Sequence, residues 1–144
     1  MSLRTDMPNK TGQRKKLTRQ EQRDLDIEIS FVEGIVRRDP HFIEALRVLG
    51  DGYTRRGRIR EGLKVDEQLA ELRPMDPETF YSLACSYALA RKIERAFNAL
   101  SRAIDLGYRD SKWVRKDPDL ANLRKSPRFK KILAKLNVVE INVK

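Results

Sequence analysis

From Leu25 to Leu136, apolar residues recur at intervals of three and four, the spacing that draws one stripe along a helix. Leu25, Ile29, Val32, Ile35 and Val36 form the first stripe, Leu46, Leu49 and Tyr53 another, and Phe129, Ile132, Leu133 and Leu136 the last. Polar residues fill the opposite faces, so each segment predicts an amphipathic helix with one side to bury. The stripe residues are punctuated by stop and start signals. Pro74 ends a helix by removing a backbone donor, Gly57 supplies a turn where positive φ costs little, and Gly107 follows Leu106 as a left-handed cap should. Asp117-Pro118 and Ser126-Pro127 each join a capping side chain to a proline suited to a first helical turn. Thr18-Arg19-Gln20-Glu21 has the form of a capping box, which predicts one long helix from Arg19 to about Arg38. The final seven residues differ, because Val139, Ile141 and Val143 alternate with Glu140 and Asn142 at strand period. That tail is expected either to fray or to pair, with the same segment of a second copy in a homodimer or with a strand edge elsewhere.

The helical pattern also repeats. Leu46, Leu49, Gly50, Tyr53, Ile59, Gly62, Leu63 and Leu69 return 34 residues later as Phe80, Leu83, Ala84, Tyr87, Ile93, Ala96, Phe97 and Ala103. Small residues at Gly50, Ala84, Gly62 and Ala96 let a neighbouring helix come close. A period of about 34 residues with this order of large and small positions resembles the tetratricopeptide repeat, a helix–turn–helix unit. The resemblance implies an all-α fold, a right-handed α-α superhelix of such units with capping helices. Its units are a repeat at 41–74 and a repeat at 75–108. A half-repeat at 18–40 precedes them, since Leu25, Ile29, Val32, Ile35, Val36 and Pro40 lie one period before Ile59, Leu63, Asp66, Leu69, Ala70 and Pro74. The matching first helix is missing there, with Lys15 and Arg19 at its core positions.

Capping helices are expected over 109–137, between a basic, disordered N-terminal tail at 1–17 and the C-terminal tail at 138–144. Leu83-Ala84-Cys85-Ser86-Tyr87, Leu106-Gly107-Tyr108-Arg109-Asp110, Asp117-Pro118-Asp119-Leu120 and Pro127-Arg128-Phe129 resemble the end-of-group form that closes some bacterial arrays of this family. That implies that the array ends here and that the source is bacterial. Two departures from the family pattern matter. Asp66 stands where an aromatic is usual and must find solvent or a partner, and Gly62 in place of alanine costs about 1 kcal/mol in helix propensity.

Length and charge narrow the functional classes. A chain of 144 residues predicts one domain. No stretch approaches the ~18 apolar residues of a membrane span, the N-terminus lacks the apolar core of a signal peptide, and a single cysteine excludes an internal disulfide, so the expected location is cytoplasmic. The net charge of +10 is concentrated at the ends: residues 1–23 carry seven Lys/Arg against two Asp/Glu, and residues 109–144 eleven against four. Basic ends attract phosphate backbones, acidic proteins or anionic membranes, but they also suit a solvated tail and the outer face of a last helix. No aromatic residue occurs in residues 1–30 to stack on a nucleobase.

Catalysis is not expected. His41 is the sole histidine and lies in an interhelical turn, so Cys85 has no second histidine as a base, and the two cannot build a common zinc site. No cofactor loop is present: Gly50-x-Gly52 follows a helical pattern and lacks a third glycine. The resemblance implies that first helices line a concave face, presenting Glu44, Arg47, Val48, Asp51 and Arg55 from one unit and Glu78, Tyr81, Ser82, Cys85 and Leu89 from the next. The expected function is a non-catalytic interaction module whose groove takes a protein segment or peptide, with a nucleic-acid accessory protein held by its basic ends as the alternative.

Overall fold

A computed structural model describes the backbone of residues 14–143 and the side chains through Val138. Among the described residues the fold is all-α: seven α-helices and one short 3-10 turn. The helices are α1 (Arg19–Arg38), α2 (Ile43–Arg55), α3 (Ile59–Leu72), α4 (Pro77–Leu89), α5 (Ile93–Leu106), α6 (Ser111–Lys116) and α7 (Pro127–Val143), with the 3-10 turn at Pro118–Leu120.

The capping residues read from the sequence hold the helix ends. Thr18 Oγ1 accepts from the Glu21 amide at 3.1 Å and starts α1 at Arg19. Asp117 accepts from the Asp119 amide at 2.9 Å, and Ser126 from the Arg128 amide at 3.2 Å. Gly57 and Gly107 take φ of +85° and +124°, values open to glycine without a steric cost. The position one period after Gly57 is Arg91, which carries a φ of +61° on a residue with a Cβ. Arg91→Gly removes that clash at the cost of extra freedom in the unfolded chain. It is therefore expected to stabilise the protein by about 0.5–1 kcal/mol, read as a higher urea midpoint; a lower midpoint would show that the arginine side chain holds the turn.

Helices α2 and α3 form one hairpin and α4 and α5 a second, and both bounds of each helix recur at an offset of 34 residues. Side-chain bonds recur with them. The Tyr53 hydroxyl donates to Glu33 at 2.5 Å, and one period later Tyr87 donates to Glu67 at 3.0 Å. Successive helices pack on one another from α1 through α5, α7 packs on α5 and α6, and the 3-10 turn packs on α4.

The apolar stripes fill two clusters. Leu25, Ile29 and Val32 of α1 meet Leu46, Leu49 and Tyr53 of α2 and Val65 and Leu69 of α3. The larger cluster joins Leu63 to Phe97, Leu100, Ile104, Val114, Leu120, Leu123, Phe129 and Leu136, so the C-terminal helices close the apolar face that the second hairpin leaves open. Asp66 finds a partner and not solvent: it is buried and accepts from Ser86 Oγ at 2.5 Å across the interface between hairpins.

Two expectations about the ends are corrected. The strand reading of the C-terminal segment fails, because the backbone of α7 stays helical through Val143. Extending an existing helix costs only propagation, and β-branched residues lose a few tenths of a kcal/mol each in it, whereas a lone strand leaves its backbone groups without partners. The disorder expected over 1–17 does not hold for residues 14–17. Residues 1–13 lie outside the described residues, but Leu17 packs on the first cluster and Arg14 makes a defined ion pair, so the ordered chain begins before Thr18.

Candidate functional site

The first helices of the two hairpins, α2 and α4, carry the ten residues expected to face a partner. The structure divides them. Glu44 is exposed; Arg55, Asp51 and Ser82 are half-buried; and Val48 leans onto the first cluster. Leu89 faces a different neighbourhood, lining a hollow of about 650 Å³ with Ile59, Leu63 and Lys92.

Arg47 and Glu78 are brought together by the cap of α4. Asp76 accepts from the Glu78 amide at 3.1 Å and from Thr79 Oγ1 at 2.8 Å, and also takes a hydrogen-bonded ion pair from Arg47. Burial pushes the Asp76 carboxyl up, but the Arg47 and Thr79 bonds prevail and hold it below its ordinary range. Glu78 moves the other way, raised by burial and by the nearby Asp76 charge. Arg47 is thus committed to joining α2 to α4.

Tyr81 and Cys85 are corrected outright: they are core residues, 2% and 0% exposed. The Tyr81 ring stacks on Tyr108 with centroids 4.2 Å apart and planes 4° from parallel. Its hydroxyl donates to Asp117 Oδ2 at 2.6 Å, and the Cys85 thiol approaches the same oxygen at 3.6 Å. Helical spacing places Tyr81 and Cys85 on one face of α4, and the segment after α6 folds back to cover that face. Leu120 and Leu123 there are fully buried, and Asn122 Nδ2 donates to the Ala88 carbonyl at 3.0 Å.

Sequence reasoning missed the polar cluster that results. Ligand atoms of Cys85, Asp117 and Asp119 lie within 4.8 Å of one another, all buried. Their oxygens accept from protein donors. Asp117 takes Tyr81, Cys85 and the Asp119 amide, while Asp119 takes Arg14 through Nε at 3.3 Å and Nη2 at 2.7 Å. The cluster therefore ties together α4, the 3-10 turn and the segment before α1. The Asp-Pro cap was its one visible signal; nothing local announces an arginine 105 residues away.

Tyrosine burial gives a pH dependence. Burial, then the Glu33 hydrogen bond, lifts Tyr53 to about 12; burial also raises Tyr87 and Tyr108, and lifts Tyr81 well above its ordinary value. Each phenol stays protonated in the folded chain where the unfolded chain ionises. Stability is therefore full below about pH 10 and falls as pH climbs towards 12. Absorbance at 295 nm is expected to show all four tyrosines ionising late and together with loss of helical signal; early ionisation of several in a folded chain would contradict the packing.

The basic ends are partly neutralised internally. Arg128 pairs with Glu94 at 2.6 Å, Lys135 with Asp105 at 2.6 Å, and Arg14 with Asp119. Lys112, Lys116, Lys125, Lys130 and Lys131 remain exposed.

These features define an all-helical protein made of two successive hairpins with closing helices on both sides. No family model matches the chain. It is similar to a chloroplastic protein of Arabidopsis thaliana, at 32% identity over 93 residues, which cover 62% of this chain. The match spans only 28% of that protein's length. Among the described residues, no helix is long and apolar enough to cross a membrane.

Proposed function

We propose that this protein is a non-catalytic interaction module of the tetratricopeptide class, taking a helix or extended segment of another protein along the face formed by α2 and α4. The observation that carries the reading is the recurrence at 34 residues of both hairpins, with the Tyr53–Glu33 and Tyr87–Glu67 bonds repeating in register. Such units stack to make extended binding surfaces. The place of Cys85 agrees, since its thiol is fully buried and lies against Asp117, out of reach of a substrate.

With Tyr81 and Cys85 in the core, the contact surface reduces to Glu44, Asp51, Arg55, Glu78 and Ser82 around the Arg47–Asp76 bridge. The test is photo-cross-linking in native cells from positions 44 and 82, compared with position 130 on α7. One recurrent protein partner from 44 and 82, lost in Glu44→Lys/Arg55→Glu, is the expected result. Cross-links confined to position 130 that vanish with nuclease or moderate salt would replace the groove with the nucleic-acid alternative.

A further inference from the structure

We infer that residues 14–17 form a strap closing onto the α4 side of the molecule, with Arg14 filling in cis the place of an arginine from a partner's basic, extended segment. The inference rests on the interaction-module reading and names its partner chemistry. Its starting point is an asymmetry between the two sides of one ion pair. Asp119 is buried, its side chain 2% exposed, its amide bonded to Asp117, and Asp117 held by Tyr81. Arg14 belongs to a segment at the surface. Its side chain is 22% exposed, Lys15 and Lys16 are exposed, Leu17 is partly buried, and Gln22 bonds to the Leu17 carbonyl at 3.3 Å. A four-residue segment outside any helix, with Lys15 and Lys16 exposed and none of its side chains fully buried, opens locally more easily than the core.

Position makes the strap relevant to binding. Three residues separate Arg14 from the Thr18 cap of α1, at most about 3.6 Å of chain each. The segment thus runs directly from the first cluster, where Leu17 packs, to the cluster formed by the 3-10 turn and the Tyr81 and Cys85 face of α4. Glu78 and Ser82 lie on that same side of α4, so a segment docking there meets the strap.

Charge selects what replaces it. When Arg14 leaves, the buried Asp119 carboxylate loses the Arg14 cation while the Asp117 carboxylate stays beside it. A guanidinium restores both hydrogen bonds at once, which a lysine ammonium does not. The fitting partner is an extended basic segment that presents one arginine.

The probe is a fluorescein-labelled peptide of residues 9–20, which carries Arg14, together with its alanine and lysine versions at that position. Binding to the full chain and to its Arg14→Ala variant is followed by anisotropy and by amide shifts at Asp117, Asp119 and Leu120. Arg14→Ala is expected to bind the probe about tenfold more tightly than the wild type, because the competing strap is gone, and the alanine peptide is expected to lose that gain. Equal affinities for both chains, or equal binding of the arginine and alanine peptides, would overturn the strap. A wild type that sediments as a dimer while Arg14→Ala is monomeric would overturn it too, placing Arg14 in a second copy. If Arg14→Ala loses its helical signal, Arg14→Lys takes its place with the same outcomes. Failure here with cross-linking from position 44 intact removes the strap alone; loss of cross-linking with probe binding intact removes the module reading.

Discussion

Tyr81→Ala is expected to cost about 3–5 kcal/mol, the range for deleting a large aromatic from a packed interior, and to lower the thermal midpoint by well over about 10 °C. Three losses combine. The ring leaves a cavity beside Tyr108, on which it stacks at 4.2 Å. The hydroxyl no longer donates to Asp117, which is 1% exposed and cannot reach water for compensation. The segment that follows α6 then keeps only the Asn122–Ala88 bond, the Cys85 contact and its apolar packing to hold it to α4. Tyr81→Phe separates these contributions, since it keeps the ring and removes only the bond, and its expected cost is about 1–3 kcal/mol. Urea unfolding followed at 222 nm measures both. A change below about 1 kcal/mol for Tyr81→Ala would return Tyr81 to the surface, where its place on the first-helix face suggested a partner contact.

Gly62→Ala is expected to destabilise the protein although alanine is the better helix former. Propensity alone favours the substitution by about 1 kcal/mol. A Cβ built at Gly62, however, falls 2.6 Å from Thr54 Oγ1 and 3.4 Å from the Gly50 carbonyl oxygen. Thr54 is buried and its hydroxyl is bonded to that same carbonyl at 3.0 Å, so it has little room to yield. Overpacking of this kind costs about 1–3 kcal/mol. The second hairpin shows the alternative solution, with Ala88 and Ala96 at the positions of Thr54 and Gly62. Thr54→Ala/Gly62→Ala recreates that pair and is expected to return stability to within about 1 kcal/mol of the wild type, a coupling of about 2 kcal/mol between touching residues. Additive effects in the double-mutant cycle would show that the two side chains do not share one space.

The same contrast runs through the chain. Thr18 as the cap of α1, the turn at Gly57, the cap at Gly107 and the Phe129–Leu136 stripe were legible, because each depends on residues within a few positions of one another. The burial of Tyr81 and Cys85 was not. Helical spacing tells which residues share a face of α4, but the segment at 117–123 that covers that face arrives from more than thirty residues away. The C-terminal segment misled for a related reason: seven residues with strand alternation carry less weight than the helix already running into them from Pro127. Asp66 lay between these cases. Its need for a partner was plain from an acid at a core position, and only packing of the hairpins supplied Ser86.

The sequence by itself determined the helices, their caps and the 34-residue recurrence, because local backbone preferences and the burial of one stripe per helix suffice to set them. Only the tertiary structure decided which faces stay open. It took Tyr81 and Cys85 into the core, committed Arg47 to Asp76, and brought Arg14 to Asp119, because these contacts join segments far apart in the chain and form only once the hairpins and closing helices have packed.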